Sequence, residues 1–248
     1  MGQPRIRIEG LSVAYQQGQP ILHNINLDIA KGEIISLIGA SGCGKSTLLN
    51  VIAGLLAAHS GRVLLDGKPI DGPAADRVMV FQDDAVFPWM RVRANVEYGL
   101  RIKGLGAAEM ARRVDEVLDL VELKAWQNAY PKELSGGMRK RVDLARAIAV
   151  DPQVLLMDEP FGALDAMTKE RLQVEYLNIC ERIGITSVFV THDLEEAIFL
   201  GDRVVVLGRN PGHIASVLDV EFAHPRDIAI KRTAAFQFQR GRLNSLIR

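Results

Sequence analysis

A glycine-rich turn between an apolar run and a helix-forming segment constrains this chain more than any other feature. Glu33-Ile34-Ile35-Ser36-Leu37-Ile38-Gly39 is typical of a buried strand, and Lys45 to Leu56 is typical of a helix. The turn between them fits the pattern G-x-x-x-x-G-K-[ST]. Its glycines let successive N–H groups turn inward, and the helix N-terminus adds partial positive charge. The segment therefore predicts a cradle for phosphate oxygens, made by Gly39, Ala40, Ser41, Gly42, Cys43, Gly44, Lys45, Ser46 and Thr47.

Two carboxylates, Asp158 and Glu159, end a second apolar run, Val154-Leu155-Leu156-Met157. Alone, an acidic pair at a strand end is usually a solvated turn. Beside a phosphate cradle it predicts a nucleotide hydrolase or transferase, in which the loop lysine contacts the β- and γ-phosphates and the next hydroxyl binds Mg²⁺. We expect those roles at Lys45 and Ser46. Asp158 would be a further Mg²⁺ ligand, and Glu159 would polarise the attacking water.

A second candidate anion site lies far along the chain from the first. In Leu134-Ser135-Gly136-Gly137-Met138 the serine is placed to cap the following helix, and the two glycines expose backbone N–H groups. By itself this pentapeptide is equally consistent with a plain helix cap.

The order of apolar segments predicts an α/β fold with a parallel sheet. Runs without alternation at 154–157, 187–190 and 204–207 indicate strands covered on both faces. Alternating stretches before residue 29 and after residue 60 predict a short antiparallel β region, and the amphipathic middle third predicts a helical subdomain. We expect one domain, divided into a P-loop core with the antiparallel β region (1–81 and 151–224), a helical subdomain (82–150) and a basic C-terminal extension (225–248).

Together these motifs resemble the ATP-binding-cassette (ABC) ATPase family, whose Leu-Ser-Gly-Gly-Gln signature also lies shortly before the acidic strand. The resemblance covers Ile6 to Ile214. It implies a RecA-like core with ATP and Mg²⁺ as cofactors. Met138 stands where the family signature has Gln, so we expect the polar contacts of that amide to be lost, with slower hydrolysis or altered dimer closure.

The same resemblance implies roles for four further residues. Tyr15 corresponds to the residue that stacks on adenine, and Gln82 to the one that contacts Mg²⁺ and the γ-phosphate. Asp165, in Phe161-Gly162-Ala163-Leu164-Asp165, would contact the opposite subunit. His192 would contact the γ-phosphate and orient water.

The family resemblance also implies an assembly. In the family, the P-loop of one subunit and the signature of another enclose each ATP, so one copy of each per chain implies a head-to-tail homodimer. The stretch after Gln82 and the segment Asn210-Pro211-Gly212-His213-Ile214 resemble importer ATPases for nitrate, taurine and alkanesulfonates. That similarity implies permease subunits docking near Phe87, Pro88 and Trp89, an external solute-binding protein, and a peripheral location on the cytoplasmic face of the membrane.

Charge and composition exclude several classes of function. The chain has 30 Lys+Arg and 30 Asp+Glu, so no basic excess points to a nucleic-acid partner. No apolar run approaches the length of a membrane span, and two cysteines provide no disulfide framework. Three alternatives stay open: a soluble ABC protein uncoupled from transport, an unrelated P-loop kinase or GTPase, and a nucleotide-binding scaffold without turnover. For the basic tail we expect a solvated terminal helix, with contact to anionic lipid as the alternative.

Overall fold

A computed structural model describes residues 3–14, 18–83 and 85–247. The strands are β1 (Ile6–Ala14), β2 (Pro20–Ile29), β3 (Ile34–Gly39), β4 (Ser60–Leu65), β5 (Lys68–Pro69), β6 (Arg77–Val80), β7 (Val154–Asp158), β8 (Thr186–Val190), β9 (Arg203–Gly208) and β10 (His213–Asp219). The helices are α1 (Lys45–Ala53), α2 (Val92–Ile102), α3 (Ala107–Leu120), α4 (Gly136–Ala149), α5 (Ala166–Ile183), α6 (Leu194–Leu200) and α7 (Ala234–Leu246). Within the described ranges, no helix combines the length and apolar character needed to cross a membrane.

An antiparallel sheet forms the first layer, in the order β2-β1-β4-β5. Its strands alternate buried and exposed positions, as expected for a sheet with one face on the core. β1 and β4 approach so closely that a Cβ at Gly61 would lie 2.4 Å from the carbonyl oxygen of Gly10. The predicted antiparallel β region is present where the sequence placed it.

The central sheet has six strands in the order β10-β9-β3-β8-β7-β6, and all but the edge strand β10 run parallel. Every residue of β3 and of β8 is buried, because other elements cover both faces of the sheet. The predicted parallel α/β architecture is confirmed. The carboxyl ends of β3, β6, β7 and β8 lie on one edge, where open α/β sheets bind their ligands.

The helices α2, α3 and α4 form a separate apolar cluster beside this core. Val96, Val114, Leu118 and Val142 are fully buried in it. The cluster explains the 3.6-residue periodicity of the middle third, since each helix turns one apolar stripe towards the other two.

The C-terminal segment packs against the core, so the expectation of a solvated terminal helix is wrong. Phe236 and Leu243 of α7 are completely buried in the main cluster. Arg226 is buried as well, and its guanidinium donates hydrogen bonds to the carbonyl oxygens of Phe199 (3.0 Å) and Gly201 (2.8 Å), where α6 ends. Sequence reasoning erred because it weighed the charges of this segment and not the apolar side chains between them.

Candidate functional site

The glycine-rich turn forms a closed loop between β3 and α1. The ammonium of Lys45 donates to the carbonyl oxygens of Gly39 at 2.8 Å and Ala40 at 3.1 Å. Gly44 has φ +99°, a left-handed conformation, and a Cβ there would lie 2.6 Å from the side chain of Leu22. The loop is therefore preformed with its lysine folded across it.

An open cavity of ≈ 620 Å³ lies against this loop. A volume of this order suits a nucleotide-sized ligand. The cavity brings together parts of the chain more than 100 residues apart, since its wall includes both the loop and the residues after β7 and β8. It is lined by Ile21, Gly39, Ser41, Gly42, Gly44, Lys45, Ser46, Thr47, Glu159 and His192.

The carboxylate of Glu159 and the imidazole of His192 meet at this cavity, with Oε2 and Nδ1 3.2 Å apart. Glu159 adopts φ +46°, and its N–H donates to the carbonyl oxygen of Val190 at 3.0 Å. The imidazole is 69 % exposed. Adjacent parallel strands thus place the two side chains side by side, facing the open space above the loop.

Other predicted site residues lie at the rim or outside the described part. Cys43 is buried under the loop, and its Sγ is 4.0 Å from the Lys45 ammonium. Ala40 contributes its carbonyl to Lys45 and does not line the cavity. Tyr15 falls outside the described residues.

Asp158 and Gln82 lie beside the cavity and are not among its lining residues. Asp158 is the last residue of β7, adjacent to Glu159 in sequence. The amide nitrogen of Gln82 and Oε2 of Glu159 lie 3.5 Å and 3.7 Å from the point that a Cβ on Gly162 would occupy. The Gln82 amide and the Glu159 carboxylate therefore converge on Gly162, which has no side chain to separate them.

The Leu134–Met138 motif begins α4, as predicted. The hydroxyl of Ser135 accepts the N–H of Met138 at 3.3 Å, and a Cβ on Gly137 would lie 2.7 Å from Thr168 of α5. Gly136 is half-buried in the first turn. A second cavity of ≈ 330 Å³ is lined by Ser135, Gly137 and Met138, and it shares no residue with the cavity at the loop. Within one chain, the two candidate anion sites are separate.

Asp165 caps the helix that follows it. Its carboxylate accepts the N–H of Thr168 at 3.1 Å, and the bond from Thr168 holds the pKa of Asp165 below its ordinary value. The next side chains along α5 are exposed, including Met167. The capped carboxylate thus marks an exposed helix start close to Gly137.

A hydrogen-bonded loop carries the aromatic residues that follow Gln82. Fully buried Asn95 accepts the N–H of Phe87 at 2.8 Å, and its amide donates to the carbonyl oxygens of Phe87 and Met90. The ring of Phe87 packs on Tyr98, with 4.7 Å between centroids, whereas Trp89 is 70 % exposed. Sequence analysis missed Asn95. These hydrogen bonds hold the loop against α2, while Pro88 and Trp89 stay exposed.

Lys140 is a second residue that sequence analysis missed. Its side chain is 6 % exposed, and the ammonium donates to the carbonyl oxygens of Phe81 at 2.6 Å and Gln82 at 3.0 Å. It lies three residues after Gly137 and four before Leu144, on the inward face of α4. That inward position was the available signal, because a buried lysine requires partners.

The fold and the cavity are those of a P-loop nucleotide-binding protein. A family model described as ABC transporter matches residues 22–162. The chain is 47% identical over 222 residues to the taurine import ATP-binding protein TauB of Pseudomonas aeruginosa, covering 88% of this chain and 84% of that one. It is 47% identical over 233 residues to the nitrate import ATP-binding protein NrtD of Synechocystis sp., covering 92% and 88%.

The dimeric, post-hydrolysis structure of the ATP-binding cassette MJ0796 bound to ADP and Pi matches with a TM-score of 0.75 and 32% identity, covering 88% of this chain and 100% of that one. The chain belongs to the ABC transporter family. The resemblance drawn from the motifs is therefore confirmed.

Proposed function

We propose that this chain is the ATP-hydrolysing subunit of an ABC importer. One observation carries the proposal: a single open cavity holds the loop lysine, Glu159 and His192. The relatives TauB and NrtD, which are named as import ATP-binding proteins, support the importer assignment. Hydrolysis is favoured over transfer of the phosphoryl group to another substrate, as in a kinase, because a carboxylate paired with an imidazole suits activation of water.

The residues at the site fit a nucleoside triphosphate with Mg²⁺. The inward N–H groups of the loop and the Lys45 ammonium would hold phosphate oxygens, with Tyr15 as the proposed adenine contact. The hydroxyl of Ser46, the carboxylate of Asp158 and the amide oxygen of Gln82 are the oxygen donors that Mg²⁺ prefers. In the described part of the chain no cluster of three His, Cys, Asp or Glu side chains could bind a metal. Phosphate and water oxygens would therefore complete the coordination.

The carboxylate and imidazole divide the chemistry between them. Oε2 of Glu159 lies 3.2 Å from Nδ1 of His192, and the carboxylate would accept a proton from the attacking water. His192 would hold the carboxylate in place and contact the γ-phosphate at the same time. When bound, Mg²⁺ would neutralise the negative charge on the γ-phosphoryl group.

We further propose that hydrolysis takes place in a head-to-tail homodimer. The Ser135–Gly137 motif lies in a different cavity from Lys45, so a second chain is needed to bring such a motif over the phosphates. The exposed start of α5 at Asp165 belongs to the same face. The dimer in the related cassette MJ0796 supports this arrangement.

The exposed Pro88–Trp89 loop is the proposed contact with separate permease subunits, which would hold the chain at the cytoplasmic face of the membrane. An external binding protein would deliver the solute to those subunits. Equal identity to TauB and NrtD supports a small anion of the taurine, sulfonate or nitrate type.

The test compares the wild type with Glu159→Gln and with Glu181→Gln, an exposed glutamate on α5 that loses the same charge. Phosphate release and light scattering are measured with and without ATP and Mg²⁺. We expect turnover in the wild type and in Glu181→Gln, and a stalled ATP-dependent dimer in Glu159→Gln. Wild-type protein that binds ATP without releasing phosphate, alone or with its permease, would contradict the proposal.

A further inference from the structure

A buried carboxylate, Glu196, contacts Thr191, the residue before the exposed His192. It is 3 % exposed and accepts hydrogen bonds from the amide of Gln173 at 2.8 Å and from the hydroxyl of Thr191. The ammonium of Lys169 lies 3.3 Å from it. The carboxylate of Glu196 therefore points inward and organises this cluster.

The cluster fixes the backbone on both sides of His192. The hydroxyl of Thr191 donates to Glu196 and accepts the N–H of Asp193 at 3.0 Å. The carboxylate of Asp193 accepts the N–H of Glu195 at 2.9 Å and pairs with Lys169 at 2.8 Å. The imidazole is exposed and contacts Glu159, so its direction depends on that contact and on how firmly the two flanking residues are held.

The C-terminal segment reaches the same cluster through one side chain. The ammonium of Lys231 donates to Oε1 of Gln173 at 3.0 Å and lies 4.7 Å from the centre of the Phe199 ring on α6. An amide has one accepting and one donating end. With the cation bound at Oε1, the Gln173 nitrogen must face Glu196. Lys231 therefore selects the amide orientation that the carboxylate requires.

We propose that Lys231 is a positioning residue for His192, acting through Gln173, Glu196 and Thr191. The inference rests on the proposed role of His192 at the γ-phosphate. It gives the segment after Pro225 a task in ATP hydrolysis, although that segment does not line the cavity. Loss of the Lys231 ammonium would allow the Gln173 amide to rotate and would loosen Thr191 and Asp193, and hence the imidazole.

The experiment uses the full chain and three variants. Lys231→Met removes the ammonium and keeps a flexible apolar stem beside Phe199. Arg232→Met, the matched control, removes one positive charge from the exposed neighbouring residue. Lys231→Arg retains a cationic donor. For each we would measure ATP turnover, affinity for a non-hydrolysable ATP analogue, melting temperature, and the imidazole NMR resonances of His192, assigned with a His192→Ala sample.

For Lys231→Met we expect turnover to fall about tenfold, the rate equivalent of one hydrogen bond to a charged group. Analogue affinity and melting temperature should match those of Arg232→Met. The His192 resonances should shift in Lys231→Met and return in Lys231→Arg.

Two results would overturn the inference. One is Lys231→Met matching Arg232→Met in both turnover and His192 resonances. The other is a parallel loss of melting temperature and turnover with unshifted His192 resonances, which would indicate a purely structural role. If the wild type shows no hydrolysis, the proposed function fails, and the His192 resonances alone still decide the inference.

Discussion

Replacing Lys140 with methionine tests whether one buried cation supports both the fold and the placement of Gln82. The ammonium donates to the carbonyl oxygens of Phe81 and Gln82, and each hydrogen bond to a charged group contributes about 1.5–3 kcal/mol. Burying an ammonium costs several kcal/mol, and methionine has similar length without that cost. These two effects oppose each other, but the substitution also takes one cation away from the buried carboxylate of Asp143, which lies 3.9 Å from the ammonium. We therefore expect the free energy of unfolding to fall by about 3 kcal/mol, the lower end of the range for removing one partner of a buried ion pair.

Placement of Gln82 should change as well as stability. The carbonyl of Gln82 loses its anchor to α4, so the amide can leave its position beside Gly162. We expect turnover to fall about tenfold, or about 1.4 kcal/mol in transition-state stabilisation. Urea unfolding measures the free energy of unfolding, and phosphate release measures the turnover. Lys132→Met, at an exposed lysine, is the matched control.

A double-mutant cycle with Gln82→Ala then tests the route. If Lys140 acts through Gln82, its replacement should have little further effect once the Gln82 amide is gone, giving a coupling of at least about 1 kcal/mol. Strict additivity of the two substitutions, or equal turnover in Lys140→Met and Lys132→Met, would refute the reasoning.

Three further predictions concern stability and the signature motif. Arg226→Met should lower the free energy of unfolding by about 3–5 kcal/mol, because it leaves the last carbonyls of α6 and Asp202 without their cation. Urea unfolding measures this loss. A loss no greater than that of the surface variant Arg240→Met would contradict the prediction. Burial opposes ionisation of Asp202, but hydrogen bonds from His224 and the Ile34 N–H, with Arg226 nearby, hold the pKa of this carboxyl below its ordinary value. That stability is present above the unfolded-state pKa of about 4 and is lost as the pH falls through the lower folded value, so Asp202→Asn should flatten the acid limb of a pH–stability curve measured by urea unfolding. Met138→Gln should change ATP turnover through contacts of the restored amide with the partner subunit; equal rates would show that the signature works without them.

Local patterns were sufficient for most of the fold. The strand, loop and helix around Lys45 follow from uninterrupted apolar residues, positive-φ glycines and a helix start, all within about 20 residues. The parallel sheet followed from the unalternating runs. In contrast, the contact between Glu159 and His192 depends on β7 and β8 being neighbours, which the motif alone does not state.

Buried polar side chains were the main failure of the sequence analysis. Lys140, Asn95, Glu196 and Arg226 are hydrophilic residues at inward positions, and each is buried because it has hydrogen-bond partners. Those of Lys140, Glu196 and Arg226 include residues more than 20 positions away, whereas those of Asn95 lie in the loop just before it. Periodicity marks the inward position, but the identity of the partner depends on tertiary packing. The same limitation led to a solvated helix being expected at the C-terminus.

The backbone of Glu159 places the catalytic role proposed for this residue in opposition to the stability of the fold. A left-handed conformation costs a residue with a Cβ roughly 1 kcal/mol or more, whereas glycine adopts it freely. In a laboratory selection for heat resistance alone, glycine would be a gain at this position. Such a selection would discard the carboxylate early, and the resulting protein would survive higher temperatures without the group that we propose to activate water.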